Sequence, residues 1–291
     1  MSTQLKNKKV LIIYRQETVT AQKMAQEVSQ WLAKKSITIY SHPKQKISKE
    51  VTAITTQSLG RLSLVIALGG DGTYLEAVRL LKGRKVPILG VNMGSLGFLT
   101  ETRIEELYPT LELTLNSRME MRPRSMVRIK VKTKNKIRYQ CSALNDVVIE
   151  RGGGKNMITL SAYCEHQHIC DYKADGLIIA APTGSTAYNL AAGGPILHPE
   201  VKSFVVTPIC PHSLTNRPIL FPENKTLIFK FKESQNKAFL NIDGQKICDI
   251  SQKDEVSVQL DSKMHFVLRR PDHNYFNLLR EKLKFGAHAV F

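Results

Sequence analysis

An aspartate set among glycines, Gly69-Gly-Asp-Gly-Thr73, follows the apolar run 62–68 and precedes the helical stretch 74–81. Glycines at such a junction let backbone approach a ligand closely and adopt positive φ. The exposed N–H groups of the helix start suit phosphate oxygens, so Gly69, Gly70, Gly72 and Thr73 are candidate phosphate-binding positions. A carboxylate among phosphate-binding amides is useful where it handles a proton or a metal, which makes Asp71 the candidate catalytic residue. The competing expectation is a tight turn with Asp71 as helix N-cap. The chain carries no Walker A lysine, no G-x-G-x-x-G and no protein-kinase catalytic loop, which excludes the usual NTP-binding scaffolds.

Three further segments could bind. Gly94-Ser-Leu-Gly-Phe-Leu99 is a second glycine-rich turn after a strand, placed to wall a crevice beside the first. Asn145-Asp146 can grip a ribose diol, one side chain donating and both accepting, although an Asx-turn between strands uses the same pair. In Asp175-Gly-Leu-Ile-Ile-Ala-Ala-Pro-Thr-Gly-Ser-Thr-Ala-Tyr-Asn-Leu190, a strand ends at Pro182. Thr183, Ser185 and Thr186 then supply hydroxyls at a helix N-terminus, and Tyr188 offers a ring face to a base. Capping is the competing use of those hydroxyls, and Gly193-Gly-Pro195 continues the segment as a tight loop. Cys164-Glu-His-Gln-His-Ile-Cys170 has metal-binding residue types, but it spans an expected hairpin tip and matches no zinc spacing, so it reads as a surface turn.

The elements that position these residues fall into two grammars. Strands near 10–14, 36–40, 62–68 and 86–92 alternate with helices 18–35, 74–81 and 104–116, which implies a parallel sheet with ligands beyond its carboxyl ends. From 125 onward short strands dominate, at 125–133, 137–144, 146–150, 157–164, 169–173, 176–180, 204–208, 226–231, 238–242, 254–260 and 264–269. That density predicts a sandwich-like β domain, with one helical interruption at 184–192 and a closing helix 275–285 bearing Phe276, Leu279 and Leu283 on one side.

The 291 residues, 42% hydrophobic, suit two modest domains. No apolar run approaches a membrane span, and the polar first nine residues do not read as a signal peptide. Five widely spaced cysteines without a CxxC fit reduced thiols in a cytosol. The net charge of +17 is spread along the chain. Its densest part, Val127-Arg-Ile-Lys-Val-Lys-Thr133, alternates as a strand with one wet face, and no nucleic-acid-binding signature accompanies it.

Taken together, Gly69–Thr73, Asn92-Met-Gly-Ser-Leu-Gly-Phe-Leu99, Leu144-Asn-Asp146, Asp175–Tyr188 with Gly193-Gly-Pro195, and Pro211-His-Ser-Leu with Arg217-Pro218 resemble the NAD kinases in order and spacing. Diacylglycerol, sphingosine and 6-phosphofructo-kinases share only the first element. The resemblance implies an α/β domain over 1–117 with 271–291, whose sheet is parallel, and a β-rich NAD-binding domain over 118–270. The last helix would return to the first domain and the active site would lie between the two. It implies a cytoplasmic homodimer or homotetramer acting on NAD with ATP or polyphosphate and a divalent ion, Mg²⁺, with neither nucleic acid nor membrane as partner and no dedicated metal-ligand set. Asp71 would be the proton acceptor and Gly72 its neighbour at the substrate. Phe98, Asn145, Asp146, Asn156, Lys173, Asp175, Thr183, Thr186, Ala187, Tyr188, Asn189, Leu190, Ala191 and Gln245 would bind substrate. Asp146 stands where glutamate is frequent in the family, and Asn156 where histidine often precedes the methionine. A lipid kinase and a non-catalytic NADP(H)-binding regulator are the rival readings; the acid in the glycine turn argues against the second.

Overall fold

The computed structural model describes residues 9–153, 156–232 and 237–284. They divide into two compact units, one running up to Pro123 and resuming at His265, the other spanning Arg124–Met264.

The first unit is built on a sheet whose order is Thr52–Ala53, Thr38–Ser41, Lys9–Tyr14, Leu64–Gly69, Ile88–Asn92, His265–Arg269 and Glu120–Arg124. The central strands pair in parallel. Val10–Ile13 and Leu64–Leu68 are fully buried, as continuous apolar runs covered on both faces must be. Helix Val19–Ala33 lays Ala21, Ala25, Val28 and Leu32 into the core at helical spacing. Parallel register sets the strand ends side by side, Tyr14 opposite Leu68 and Gly69 opposite Asn92. Both glycine-rich turns therefore leave the sheet at the carboxyl ends of its strands.

Two expectations are revised in this unit. The strand expected near 264–269 belongs here, His265–Arg269 pairing in parallel with Ile88–Asn92 through Val267 and Ile88. The closing helix, Tyr275–Leu283, buries Tyr275, Leu278 and Leu279. Phe276 is 56% exposed: the i, i+3, i+4 stripe starts one residue earlier than the pattern suggested. Position 285 lies outside the described residues.

The second unit holds two antiparallel sheets. Val147, Ile149, Leu177 and Ile179 from one and Val127, Ile129, Leu160 and Phe229 from the other share a core, the packing of a β-sandwich. On the other face of the first sheet, Val148, Ile178, Ala180 and Val205 form a smaller cluster with Leu197. The glycine- and hydroxyl-rich segment beyond Pro182 thus lies against a sheet face. Its expected helix is two pieces, a 3₁₀ turn Thr183–Thr186 and a short helix Tyr188–Ala191, broken at Ala187, whose φ is −94° and ψ −130°.

Candidate active site

In the first unit Asp71 links the two glycine-rich turns. Helix Asp71–Leu81 begins at that residue and its N-cap is Gly70, so the expectation of Asp71 as N-cap is not met. The carboxylate instead reaches the second glycine-rich turn. Its Oδ2 accepts from Phe98 N at 2.9 Å, while Oδ1 accepts from Leu99 N at 3.1 Å, Thr100 N at 3.0 Å and Thr100 Oγ1 at 2.9 Å. The turn is tied down from behind. Asn92 Nδ2 donates to Ser95 O at 2.5 Å and to Thr100 Oγ1 at 3.2 Å, and Asn92 Oδ1 accepts from Gly94 N at 2.6 Å. Gly97 has to be glycine, because a Cβ there would collide with the Asp71 carboxylate. A carboxylate offers about four lone-pair sites, so Oδ1 is filled and Oδ2 keeps acceptor capacity.

The glycines of the first motif serve space rather than handedness, since none of the three has positive φ. A side chain at Gly69 would crowd Thr73, whose Cβ would stand 2.9 Å away. Gly70 and Gly72 have no heavy atom within 4 Å of a would-be Cβ. They face open space that backbone N–H groups at a helix start can share with an anion. Thr73 is buried behind them, and Phe98 is half-buried.

In the second unit the turn Leu144–Asp146 is organised by a residue that the sequence showed only as a turn signal. Asp243 accepts from the backbone N of Leu144 at 3.0 Å, Asn145 at 2.8 Å and Asp146 at 3.2 Å. Asp243 and Gly244 both take positive φ, +46° and +75°, as a two-residue hairpin turn requires. Asn145 O accepts from Ala181 N at 2.8 Å, and a Cβ on Gly184 would strike the Asn145 backbone. These contacts bring the Asn145 pair and the Thr183 segment together. Two buried side-chain atoms there, Asn145 Oδ1 and Thr183 Oγ1, have no hydrogen-bond partner among the described residues.

Asp146 is buried, and burial followed by the charge of Asp243 raises its carboxyl to about 7. The folded protein thus keeps a proton that the unfolded chain releases near pH 4. Stability from this group is fullest at acid pH and falls as pH rises toward 7. The stability advantage of Asp146→Asn over the parent is expected to widen from pH 4 to pH 7 and then level off. Urea unfolding across that range checks it, and a constant gap would contradict the assignment.

The remaining expected residues divide. Tyr188 is 45% exposed, its phenol raised by desolvation and then by the carboxylates of Glu150, Asp146 and Asp175 and by Cys210. Thr186 is half-buried, donating weakly to Thr183 O at 3.4 Å, and Ala187 and Leu190 are half-buried too; Ala191 is exposed. Asp175 is paired with Arg151 at 3.1 Å. Lys173 and Gln245 have exposed side chains, and Asn156 is exposed beside Met157. Asn189 differs, because its side chain is fully buried. It donates to Ser185 O at 3.0 Å and Pro195 O at 3.1 Å and accepts from Thr207 Oγ1 at 2.7 Å. That side chain braces the loop. Ser185 is likewise turned inward, bonding Pro182 O at 2.7 Å and accepting from Leu197 N at 2.9 Å. The Cys164–Cys170 run forms a hairpin, with Cys164 opposite Gln167 and Cys170 opposite Ala162.

A parallel α/β unit whose two glycine-rich turns meet at Asp71, and a unit of two packed antiparallel sheets, define the fold class. Two solved structures share it: yeast NADH kinase complexed with NADH, at TM-score 0.89 and 24% identity over 97% of this chain and 88% of that one, and an NAD kinase from Archaeoglobus fulgidus in complex with ATP, at TM-score 0.74 and 20% identity over 94% and 99%. The family models of the ATP-NAD kinase N-terminal and C-terminal domains match residues 10–119 and 144–268. The NAD kinase of Bdellovibrio bacteriovorus is 49% identical over 96% of this chain and 93% of its own, and that of Solibacter usitatus 39% over 94% and 96%. The chain belongs to the NAD kinase family and is a phosphotransferase.

Proposed function

We propose that this enzyme transfers the γ-phosphoryl group of ATP to the adenosine 2′-hydroxyl of NAD, with Asp71 taking the hydroxyl proton. In that reaction the 2′-oxygen bonds to the γ-phosphorus, the bond to the β–γ bridging oxygen breaks, and ADP leaves. Such a transfer passes through a loose transition state, so positioning and charge neutralisation dominate while the base assists. Oδ2 of Asp71, the oxygen with capacity left, is the proton acceptor. The open faces of Gly70 and Gly72 take phosphate oxygens, with Thr73 packed behind.

The observation that carries the NAD half of this reading is the pair of buried, unpartnered atoms Asn145 Oδ1 and Thr183 Oγ1. Each such atom costs about 1–3 kcal/mol unless something bonds to it, and sugar hydroxyls or an adenine amine supply the donors and acceptors. Phe98 and Tyr188 offer ring faces, and Asp146, Asn156, Lys173, Asp175, Gln245 and the segment Thr186, Ala187, Leu190 and Ala191 contribute the remaining contacts. Asn189 contributes by bracing that segment.

No group of three or more His, Cys, Asp or Glu gathers into a metal-holding cluster among the described residues. Mg²⁺ would arrive with the triphosphate, which needs at most one or two protein carboxylates. Asp71 would be the one to reach it. When bound, the ion neutralises charge on the phosphate oxygens. The excess of basic residues suits two polyanionic substrates. No helix among the described residues is long and apolar enough to cross a membrane. We place the enzyme in the cytoplasm as a homo-oligomer, a dimer or tetramer.

NAD binding is expected to raise the melting temperature by mass action on the folded state. Asn145→Ala should weaken NAD by roughly 1–3 kcal/mol while sparing ATP. Thermal-shift titration with each nucleotide checks both; no shift with millimolar NAD, or equal losses for both nucleotides, would defeat the reading of this pocket.

A further inference from the structure

Next to Thr100 in the chain stands Glu101, whose side chain is only 10% exposed. Arg269, 9% exposed, grips it with both arms of its guanidinium, Nη2 to Oε1 at 2.8 Å and Nε to Oε2 at 3.2 Å. His273 Nε2 lies 3.0 Å from the same Oε2. Arg269 ends the sheet strand His265–Arg269, and His273 follows in the turn that leads to the closing helix. Further pairs hold the same two stretches together, Arg270 with Glu106 at 3.2 Å and Arg103 with Glu281. Between them lies a cavity of about 230 Å³ lined from Leu96, in the second glycine-rich turn, to Leu278 of the closing helix.

A buried ion pair is a weak source of stability, since desolvation offsets most of its Coulomb energy. A bidentate arginine–carboxylate pair does fix direction. The carboxylate gripped here belongs to the residue that follows Thr100, and Thr100 supplies two of the four hydrogen bonds on Asp71. We propose that Glu101, gripped by Arg269 and His273, is a positioning residue that sets Thr100 and, through it, the carboxylate of Asp71. This rests on Asp71 being the proton acceptor.

Steady-state kinetics with ATP and NAD on Glu101→Gln, Asp71→Asn and the double variant test it. Glu101→Gln is expected to lower kcat by about 10- to 100-fold, the cost of a misplacement of about 1 Å, and to leave both KM values within about twofold. In the Asp71→Asn background it should cost nothing more, because residues acting through one group are not additive. Parent-like turnover in Asp71→Asn would overturn the reading of Asp71 itself. A slow Asp71→Asn with a fast Glu101→Gln, or with losses that multiply in the double variant, would overturn the positioning role alone. So would raised KM values at unchanged kcat. Removing one partner strands a buried charge, so Glu101→Met/Arg269→Met is measured alongside. Buried pairs often accept apolar replacement without loss of stability. This variant should stay folded and show the same fall in kcat, and parent-like kcat in it would overturn the proposal.

Discussion

Asp71→Asn is expected to lower kcat by about 10² to 10⁴ while the protein stays folded and still binds NAD. An amide cannot accept the 2′-hydroxyl proton. The structure makes the substitution harsher than a simple swap of helix caps, because Asp71 is surrounded by donors: Phe98 N on one oxygen, Leu99 N, Thr100 N and Thr100 Oγ1 on the other. Whichever way the amide turns, its NH₂ meets an N–H donor. One hydrogen bond at least is lost, at about 1–3 kcal/mol. Circular dichroism and thermal melting should therefore show a folded but less stable protein. Turnover above about a tenth of the parent's would be too high for a lost base. An Mg²⁺ titration then separates the two uses of a carboxylate: a missing base stays missing at saturating metal, and a weakened metal contact is partly restored.

Gly184→Ala should be the most damaging single-methyl change in the second unit. Its Cβ would meet the O, C and Cα atoms of Asn145. These are backbone atoms, pinned by Asp243 and by Ala181 N, so no side chain can rotate out of the way. Overpacking of this sort costs about 1–3 kcal/mol, or roughly 2–4 °C of Tm per kcal/mol in a chain of this size. The displaced Asn145 should also raise the KM for NAD about tenfold or more, the equivalent of at least ~1.4 kcal/mol. Gly94→Ala, where nothing lies within 4 Å of the new atom, is the control for Tm and should melt like the parent. Parent-like melting and parent-like NAD kinetics in Gly184→Ala would show that the two segments are not held together as described.

Asp71, the two glycine turns and the Asn145 pair stood out in the sequence as candidates because they sit at strand ends, each with a turn or cap as its competing use. Their partners were not. Asp243 looked like any hairpin aspartate, and Thr100 lies just past the second glycine-rich segment; what each holds lies 97 and 29 residues away. Strands of continuous or alternating hydrophobicity were legible as well. Glu120–Arg124, Ile219–Pro222 and Gln245–Ile250 escaped notice; each is the last strand at a sheet edge, where half the residues face water and proline is tolerated. The residues His265–Arg269 announced a strand by alternation, but a strand's neighbour is set by topology, which alternation does not encode. The inward turn of Asn189 was hidden for a similar reason. An asparagine in a hydroxyl-rich segment looks like a ligand contact until Thr207 and Pro195 are seen to use its amide.

The central claim, phosphoryl transfer to the 2′-oxygen of NAD, is tested most directly by product structure. Purified protein is incubated with Mg²⁺, NAD and ATP, and the product is read by mass spectrometry and phosphorus NMR. The expected result is one phosphate added to NAD on the adenosine 2′-oxygen, with one ADP formed for each. ADP without phosphorylated NAD, or a phosphate on any other hydroxyl, would contradict it.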